Sequence, residues 1–214
     1  LIGMMGIVAI TRQSGVFQYL AIWSAKKVSA SPWGILAMLS VVTAVVSAFL
    51  DNVTTVLLIV PVALLITEEL KVKAYPFLFS MIISSNIGGT ATLIGDPPNI
   101  MIGSAVNLTF NDFVVNLAPV IVVVLIANLI PIYFIWGRNL KAAPEDRKRV
   151  MDFNEREAIT DPALLKKCLA VIGVVVLSFV FARFLGLEAA TIALFGAAAL
   201  LLLQCWPHDA DEQS

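Results

Sequence analysis

The residues best suited to chemistry lie in one polar stretch of an otherwise apolar chain. Residues 84–99 read Ser-Ser-Asn-Ile-Gly-Gly-Thr-Ala-Thr-Leu-Ile-Gly-Asp-Pro-Pro-Asn, and the residues on both sides are strongly apolar. In hydrocarbon, backbone that leaves the helical path survives only where protein groups or water satisfy its free N–H and C=O groups. The stretch therefore predicts a membrane helix that is broken to line a binding site. An ordinary turn at the membrane surface is the alternative.

This break offers both signs of partial charge to an ion. Its glycines allow close backbone approach, and its prolines prevent the helix from continuing. Free carbonyls at the end of one half-helix attract cations, and free amides at the start of the next attract anions. Asp96 is predicted to be a cation ligand or a proton carrier, or alternatively the N-cap of the second half-helix. The candidate binding residues of the break are Asn86, Gly88, Gly89, Thr90, Gly95, Asp96, Pro97, Pro98 and Asn99.

A second polar point interrupts the apolar sequence at Asp51 and Asn52. A carboxylate at membrane depth costs about 2.5 to 3.5 kcal/mol, so it usually faces a site, a partner or water. Ser47, four residues earlier, is predicted on the same helical face, and Thr54 follows closely. Mixed carboxylate, amide, hydroxyl and carbonyl oxygens suit a small hard cation, so we predict that Asp51 and Asn52 at this point bind Na⁺. Two alternatives remain open. Asp51 lies at the far membrane interface, or the hydroxyls of Ser47 and Thr54 bond the backbone of their own helices.

The composition is that of a membrane protein. Of the 214 residues, 59% are hydrophobic and 14% are charged, against about 25% charged in soluble proteins. The net charge is −1 and no basic block is accompanied by aromatic residues, so no nucleic-acid partner is expected. The two cysteines lack metal-ligand spacing, and His208 lies in an acidic tail. No nucleophile elbow, metalloprotease motif or phosphate loop is found, so the chain is not expected to be an enzyme.

The apolar runs predict an all-α, polytopic membrane protein. The run at residues 1–10 has neither an initiator Met nor a signal-peptide pattern, so we expect a fragment of a longer chain. Residues 34–66 are predicted to form a helical hairpin with Asp51 and Asn52 at its tip, which either spans the membrane or re-enters it. The broken helix is predicted at 76–106, with its break from Gly95 to Pro98, and a long helix at 113–137.

The remaining residues are predicted to begin with a charged connector at 138–167, which contains a short surface helix. Two further spans, 168–185 and 189–206, are joined by a short turn around Gly186, and a polar tail occupies 207–214. Every Lys and Arg except Arg12 and Arg183 lies in the connector or in the loops at 26–27 and 71–73. The positive-inside rule therefore predicts that these three loops are cytoplasmic, in a plasma or inner membrane. Arg183 is expected to snorkel outward, and Arg12 could pair with an intramembrane acid.

The motifs at 47–55 (Ser-Ala-Phe-Leu-Asp-Asn-Val-Thr-Thr) and 85–99 resemble the ion transporter superfamily. They are most similar to the branch of arsenite permeases, NhaD-type sodium/proton antiporters and the P protein, with citrate and dicarboxylate transporters more distant. The resemblance implies an inverted-repeat transporter with a re-entrant hairpin and a discontinuous helix in each half. Residues 1–137 are then the first repeat, and 168–206 begin the second.

The same resemblance implies roles for single residues. In the dicarboxylate branch a Ser-Asn-Thr tip and a Gly-Thr-Pro-Pro-Asn loop form a sodium site and half of a substrate site. Ser47, Asp51, Asn52 and Gly95 align with cation ligands, whereas Val53 and Asp96 stand where that branch has threonines. The added acid makes an anionic carboxylate substrate less favourable here.

The expected function is secondary active transport of an inorganic ion, coupled to Na⁺ or H⁺, by alternating access. It includes sodium/proton antiport and anion transport; a citrate- or dicarboxylate-type symporter is the first alternative. From other classes, an ion channel and a non-transporting scaffold remain open. No cofactor is expected apart from a bound Na⁺. The expected partners are a small inorganic ion or small anion, the lipid bilayer, a second copy in a homodimer, and the C-terminal half of the transporter.

Overall fold

The computed structural model describes residues 2–182 and 189–205, and every regular element in those ranges is helical. The α-helices are α1 (Ile2–Gln13), α2 (Val16–Lys27), α3 (Pro32–Ser47), α4 (Asn52–Glu69), α5 (Tyr75–Gly89), α6 (Pro97–Val106), α7 (Phe110–Asn116), α8 (Ala118–Ile135), α9 (Pro144–Met151), α10 (Pro162–Val180) and α11 (Ala189–Cys205). Short 3-10 turns lie at Gly137–Asn139 and Glu155–Ala158. Helices α4, α8 and α10 are long and apolar enough to cross a membrane. The prediction of an all-α membrane protein is therefore confirmed.

The chain divides into two compact units, one of which joins its two ends. This unit contains α1, α10 and α11, which pack against one another around Ile7, Phe179 and Leu200. The amide of Thr160 donates to the carbonyl of Ser14 at 3.1 Å. The predictions about Arg183, the turn at Gly186 and the tail residue His208 concern positions outside the described residues. The predicted repeat boundaries stay predictions.

The other unit, residues 16–159, is built around helices α3 and α5. Their contact buries Leu36 and Leu39 of α3 and Phe77 and Met81 of α5. The hydroxyls of Ser40 and Ser80 are 2.6 Å apart across this interface. Further along, Ala44, four residues after Ser40, lies against Gly88, eight residues after Ser80. The two helices therefore run in the same direction, which requires α4 to return the chain between them.

Three helix boundaries differ from the predictions. The break between α5 and α6 begins at Thr90 instead of Gly95. The long helix predicted at 113–137 is two helices, α7 and α8. Thr109 and Asp112 form a capping box that starts α7, and α8 starts at Ala118 with a proline in its first turn. Helix α10 begins at Pro162 instead of Cys168, since the Asp161 side chain caps it by accepting two backbone N–H bonds.

The connector is fastened to the two basic loops of its own unit. Its surface helix α9 carries Asp146, which is buried and lies 3.0 Å from the ammonium of Lys71. Beyond α9, the Lys26 ammonium donates to the Glu155 carboxylate at 2.6 Å, and this hydrogen bond lowers the pKa of Glu155. A depressed carboxyl pKa stabilises the fold at neutral pH, and this contribution is lost as the pH falls through the lowered value. Arg147 also donates to the carbonyl of Ser29 at 2.9 Å.

Aromatic rings gather at the same ends of the membrane helices as the basic loops. Trp33 at the start of α3 packs edge-on against Tyr133 near the end of α8, with ring centroids 4.9 Å apart. Tyr75 and Phe79 of α5 contact Trp136, with centroids at 5.8 and 5.3 Å. Tyrosine and tryptophan prefer the interface between hydrocarbon and water. This cluster therefore marks one membrane interface of the unit.

A candidate ion site where the hairpin tip meets the broken helix

The tip of the α3–α4 hairpin is a short non-helical turn. Helix α3 ends at Ser47 and α4 begins at Asn52, with Asp51 as its N-cap. One oxygen of the Asp51 carboxylate accepts the backbone N–H of Thr54 at 2.9 Å. Because the helix ends between them, Ser47 and Asp51 do not share a helical face, and that prediction is wrong. The capping bond fixes the direction of the Asp51 carboxylate at the tip.

The break in the second element is a compact, buried loop. Residues 91–95 are buried, and the Asn99 side chain reaches back from α6 to hold them. Its amide donates to the carbonyls of Thr90 and Thr92, at 3.2 and 2.8 Å. Asp96 occupies the N-cap position of α6 with extended backbone, but its side chain makes no capping bond. Asp96 is thus the N-cap residue, as the alternative predicted, but its carboxylate is not used as a cap.

Tip and break contact each other directly. The Ser47 hydroxyl donates to the Ser85 carbonyl at 2.7 Å, which ties the end of α3 to the last turns of α5. The Thr92 hydroxyl donates to the carbonyl of Ala48 in the tip and accepts the N–H of Gly95 at 3.1 Å. These bonds satisfy backbone groups that lie off the helical path. The two polar points of the sequence thus form one junction.

Gly95 lies against the backbone of both elements. A Cβ atom at Gly95 would lie 2.5 Å from the Gly89 carbonyl oxygen and 2.7 Å from that of Ser47. Only glycine allows this approach. The crowding gathers the carbonyl oxygens of Ser47 and Gly89 beside the loop, and carbonyl oxygens are ligands that a hard cation accepts. Pro97 and Pro98 then occupy the first positions of α6, where the missing N–H groups are tolerated.

An amide pair joins the exposed edge of the junction. The Asn52 side chain donates to the Asn86 side-chain oxygen at 2.7 Å, and Asn86 donates to the carbonyl of Ile82 at 2.9 Å. Thr90 follows on the same helix end, with its hydroxyl donating to the Asn86 carbonyl at 2.9 Å. The bond between Asn52 and Asn86 holds the first turn of α4 against the last turn of α5, and the other two bonds lie within the end of α5.

The junction contains carboxylates without a basic partner. Within residues 2–182 and 189–205, the ion pairs involve Glu155 and Asp146 of the connector, and neither Asp51 nor Asp96 forms one. No cluster of three His, Cys, Asp or Glu side chains occurs in the same ranges. An ion at the junction would therefore meet one or two carboxylates together with neutral amide and carbonyl oxygens. Such a set suits a small hard cation such as Na⁺.

The predicted site residues converge, but three contributors were missed. Ser47, Asp51 and Asn52 come from the tip, and the predicted residues between Asn86 and Asn99 come from the break. Sequence reasoning did not single out Ser85, Thr92 or Ala48, whose carbonyls or hydroxyl make the cross-element bonds. Thr92 stands inside the polar stretch, which is the one signal that could have identified it.

Comparison with known proteins identifies the family. A model of the citrate transporter family matches residues 1–210. The chain belongs to the citrate transporter family. An uncharacterized transporter of Mycobacterium tuberculosis is 47% identical over 201 residues, which cover 94% of this chain and 47% of that protein. A 46 kDa membrane protein of Mycobacterium leprae is 46% identical over 206 residues, which cover 95% of the chain and 47% of that protein.

The human P protein is 45% identical over 104 residues, which cover 49% of this chain and 12% of that protein. The predicted resemblance to the ion transporter superfamily is thus confirmed. This citrate transporter family chain is an integral membrane protein of a transporter family and not an enzyme. It spans about half the length of the curated mycobacterial relatives that it matches.

Proposed function

We propose that this chain supplies half of the transport site of a secondary transporter, which couples Na⁺ or H⁺ to the movement of another ion by alternating access. The observation that carries the proposal is the junction of tip and break. It places the Asp51 and Asp96 carboxylates, without a basic partner among the described residues, in elements that are hydrogen-bonded to each other. Discontinuous helices that present backbone groups to an ion are typical of secondary transporters.

The cation is held mainly from the tip side. Asp51 supplies the charge, Asn52 an amide, and the end of α3 a carbonyl at Ser47. The Thr54 N–H bond directs one carboxylate oxygen, and the second remains for the cation. The carbonyl of Gly95 completes the ligand set from the break. Na⁺ in this position is a transported or coupling ion and not a resident cofactor.

In this proposal, Asp96 determines which ion moves with the cation or in exchange for it. It lies at the N-terminus of α6, where the positive end of the helix dipole favours an anion. A carboxylate in that position opposes an anion and attracts a proton or cation, so we favour sodium/proton antiport over citrate uptake. Citrate-type symport is the second candidate, supported by the description of the family model.

Flux measurements with Asp96→Asn distinguish the two candidates. The full-length protein is reconstituted in proteoliposomes, and tracer Na⁺ exchange against a pH gradient is compared with tracer citrate uptake. For an antiporter, Asp96→Asn is expected to lower proton-coupled Na⁺ flux at least tenfold, because the neutral amide cannot carry a proton. For a citrate symporter, removal of the negative charge raises citrate uptake instead. Asp152→Asn, an exposed connector residue, is the matched control.

Two results of this experiment count against the proposal. Identical fluxes for the parent and Asp96→Asn mean that Asp96 does not act on the transported ions. Uncoupled currents far above transporter turnover indicate a channel.

We also propose that the basic loops and the connector face the cytoplasm. The support is the concentration of Lys and Arg in these loops, which is typical of cytoplasmic loops. The aromatic cluster of Trp33, Tyr75 and Trp136 lies at the same helix ends, as expected at a membrane interface. The test uses Lys73→Cys and Asn107→Cys in a background without the native cysteines. A membrane-impermeant thiol reagent is expected to label Asn107→Cys in intact cells, and Lys73→Cys only after permeabilisation. The reverse pattern contradicts the orientation.

A further inference from the structure

Three hydroxyls near the junction are buried without a hydrogen-bond partner. They are Thr43 Oγ1, Thr55 Oγ1 and Ser84 Oγ, and all three residues are completely buried. A buried hydroxyl in an apolar helix ordinarily donates to the carbonyl one turn earlier. Ser24 and Ser40 of the same unit do so, at 2.5 and 2.8 Å. The three unpartnered hydroxyls therefore depart from the behaviour of their neighbours.

All three lie within one helical turn of the junction. Thr43 is one turn before Ser47 on α3, Ser84 directly precedes Ser85 on α5, and Thr55 is in the first turn of α4. Helices α3 and α5 run parallel, so Thr43 and Ser84 fall between two cross-helix bonds. One is the Ser40–Ser80 hydroxyl pair, and the other is the bond from Ser47 to the Ser85 carbonyl. Each hydroxyl thus lies on the basic-loop side of the junction, on one of three helices that contact one another.

We propose that Thr43, Thr55 and Ser84 form a second site for the small monovalent cation, one helical turn from the tip toward the basic loops. This inference rests on the proposed function, since the same cation is meant. Hydroxyl oxygens are hard ligands without charge, so the site favours a monovalent over a divalent cation. This site holds the ion more weakly than a site with Asp51 does. Weak binding suits an intermediate site on the path of the ion between the tip and the basic loops.

A role in packing alone has a different consequence for cation binding. An unpartnered buried hydroxyl is costly, and an apolar group of the same shape removes that cost. Thr→Val and Ser→Ala substitutions at these positions are then expected to raise the unfolding temperature and to leave cation binding unchanged. A ligand role predicts weaker cation binding without loss of stability in the absence of the cation.

The test uses the purified full-length protein, with Na⁺ as the probe and choline as the inert cation. The unfolding temperature and tracer Na⁺ binding are followed as Na⁺ replaces choline. In the double variant Thr43→Val with Ser84→Ala, the Na⁺ concentration at half-saturation is expected to rise about tenfold, with an unchanged or higher unfolding temperature in choline. Thr43→Ser keeps the hydroxyl and is expected to bind like the parent. Thr55→Val alone provides an independent measurement should the double variant not fold.

Matched controls come from hydroxyls that bond their own helix. Ser24→Ala and Thr67→Val remove buried hydroxyls that donate to the carbonyls of Leu20 and Leu64, and neither should change Na⁺ binding. Parent-like Na⁺ binding in the hydroxyl variants, with binding lost in Asp51→Asn, overturns the second site alone. A parent protein that does not respond to Na⁺ overturns both the second site and the Na⁺ form of the proposed function.

Discussion

Gly88→Ala is expected to separate helix α3 from helix α5 and to lower the unfolding temperature sharply. A Cβ atom at Gly88 would lie 2.5 Å from both Cα and the carbonyl carbon of Ala44, and still closer to the carbonyl oxygen. These are backbone atoms, so no side-chain rotation relieves the clash. Overpacking costs about 1–3 kcal/mol when side chains can adjust, and we expect at least the upper value here. The loss reaches the ion site, because Gly88 lies between Ser84 and the break.

Thermal unfolding of the purified protein in detergent, followed by tryptophan fluorescence, measures this effect. Gly173→Ala is the matched control, since Gly173 is exposed on α10 and a Cβ there meets no atom within 4 Å. Replacing a glycine within a helix by alanine is worth about 0.5–1 kcal/mol, so the control should be slightly more stable than the parent. Equal behaviour of the two variants contradicts the close packing of α3 on α5.

The location of the site could be predicted because hydrocarbon makes polar residues conspicuous. Asp51 with Asn52 and the Asp96-Pro97-Pro98 segment interrupt apolar sequence, and each needs a structural reason at membrane depth. The predicted hairpin and break are both observed, with α3 and α4 on either side of the tip and α5 and α6 on either side of the break. The meeting of these two elements followed from the family resemblance and not from the pattern itself.

The bonds within the junction could not be predicted, because tertiary packing determines them. A serine such as Ser47 has its own helix carbonyl as the default partner, and only the position of α5 makes the Ser85 carbonyl available instead. The Thr92 hydroxyl likewise donates to the Ala48 carbonyl only because the tip lies beside the break.

Helix ends were missed for a different reason. Hydropathy alone places a helix where the apolar run lies, so the prediction joined α7 to α8 and began α10 late, at Cys168. The Thr109–Asp112 capping box and the Asp161-Pro162 start were readable in the sequence, yet apolar composition outweighed them in the prediction.

Asp51→Asn is expected to weaken Na⁺ binding about 100-fold while the protein still folds. Loss of the negative charge removes the strongest attraction for a desolvated cation, and about 3 kcal/mol corresponds to this factor. Asparagine is as good an N-cap as aspartate, so the bond from the Thr54 N–H is retained. Asp51→Asn therefore removes the charge and keeps the capping bond. The measurement is the Na⁺ concentration that gives half-maximal tracer flux in proteoliposomes of the full-length protein.

Asp51→Ala supplies the comparison that makes this result specific. Alanine removes the cap as well as the charge, so it should match asparagine in its effect on Na⁺ dependence and cost about 1 kcal/mol more in stability. If Asp51→Asn transports like the parent while Asp51→Ala is impaired, Asp51 acts only as a helix cap, and the cation is held elsewhere. If both variants lose Na⁺ dependence equally, the charge at the tip is what binds the ion, because the retained cap makes no difference to binding.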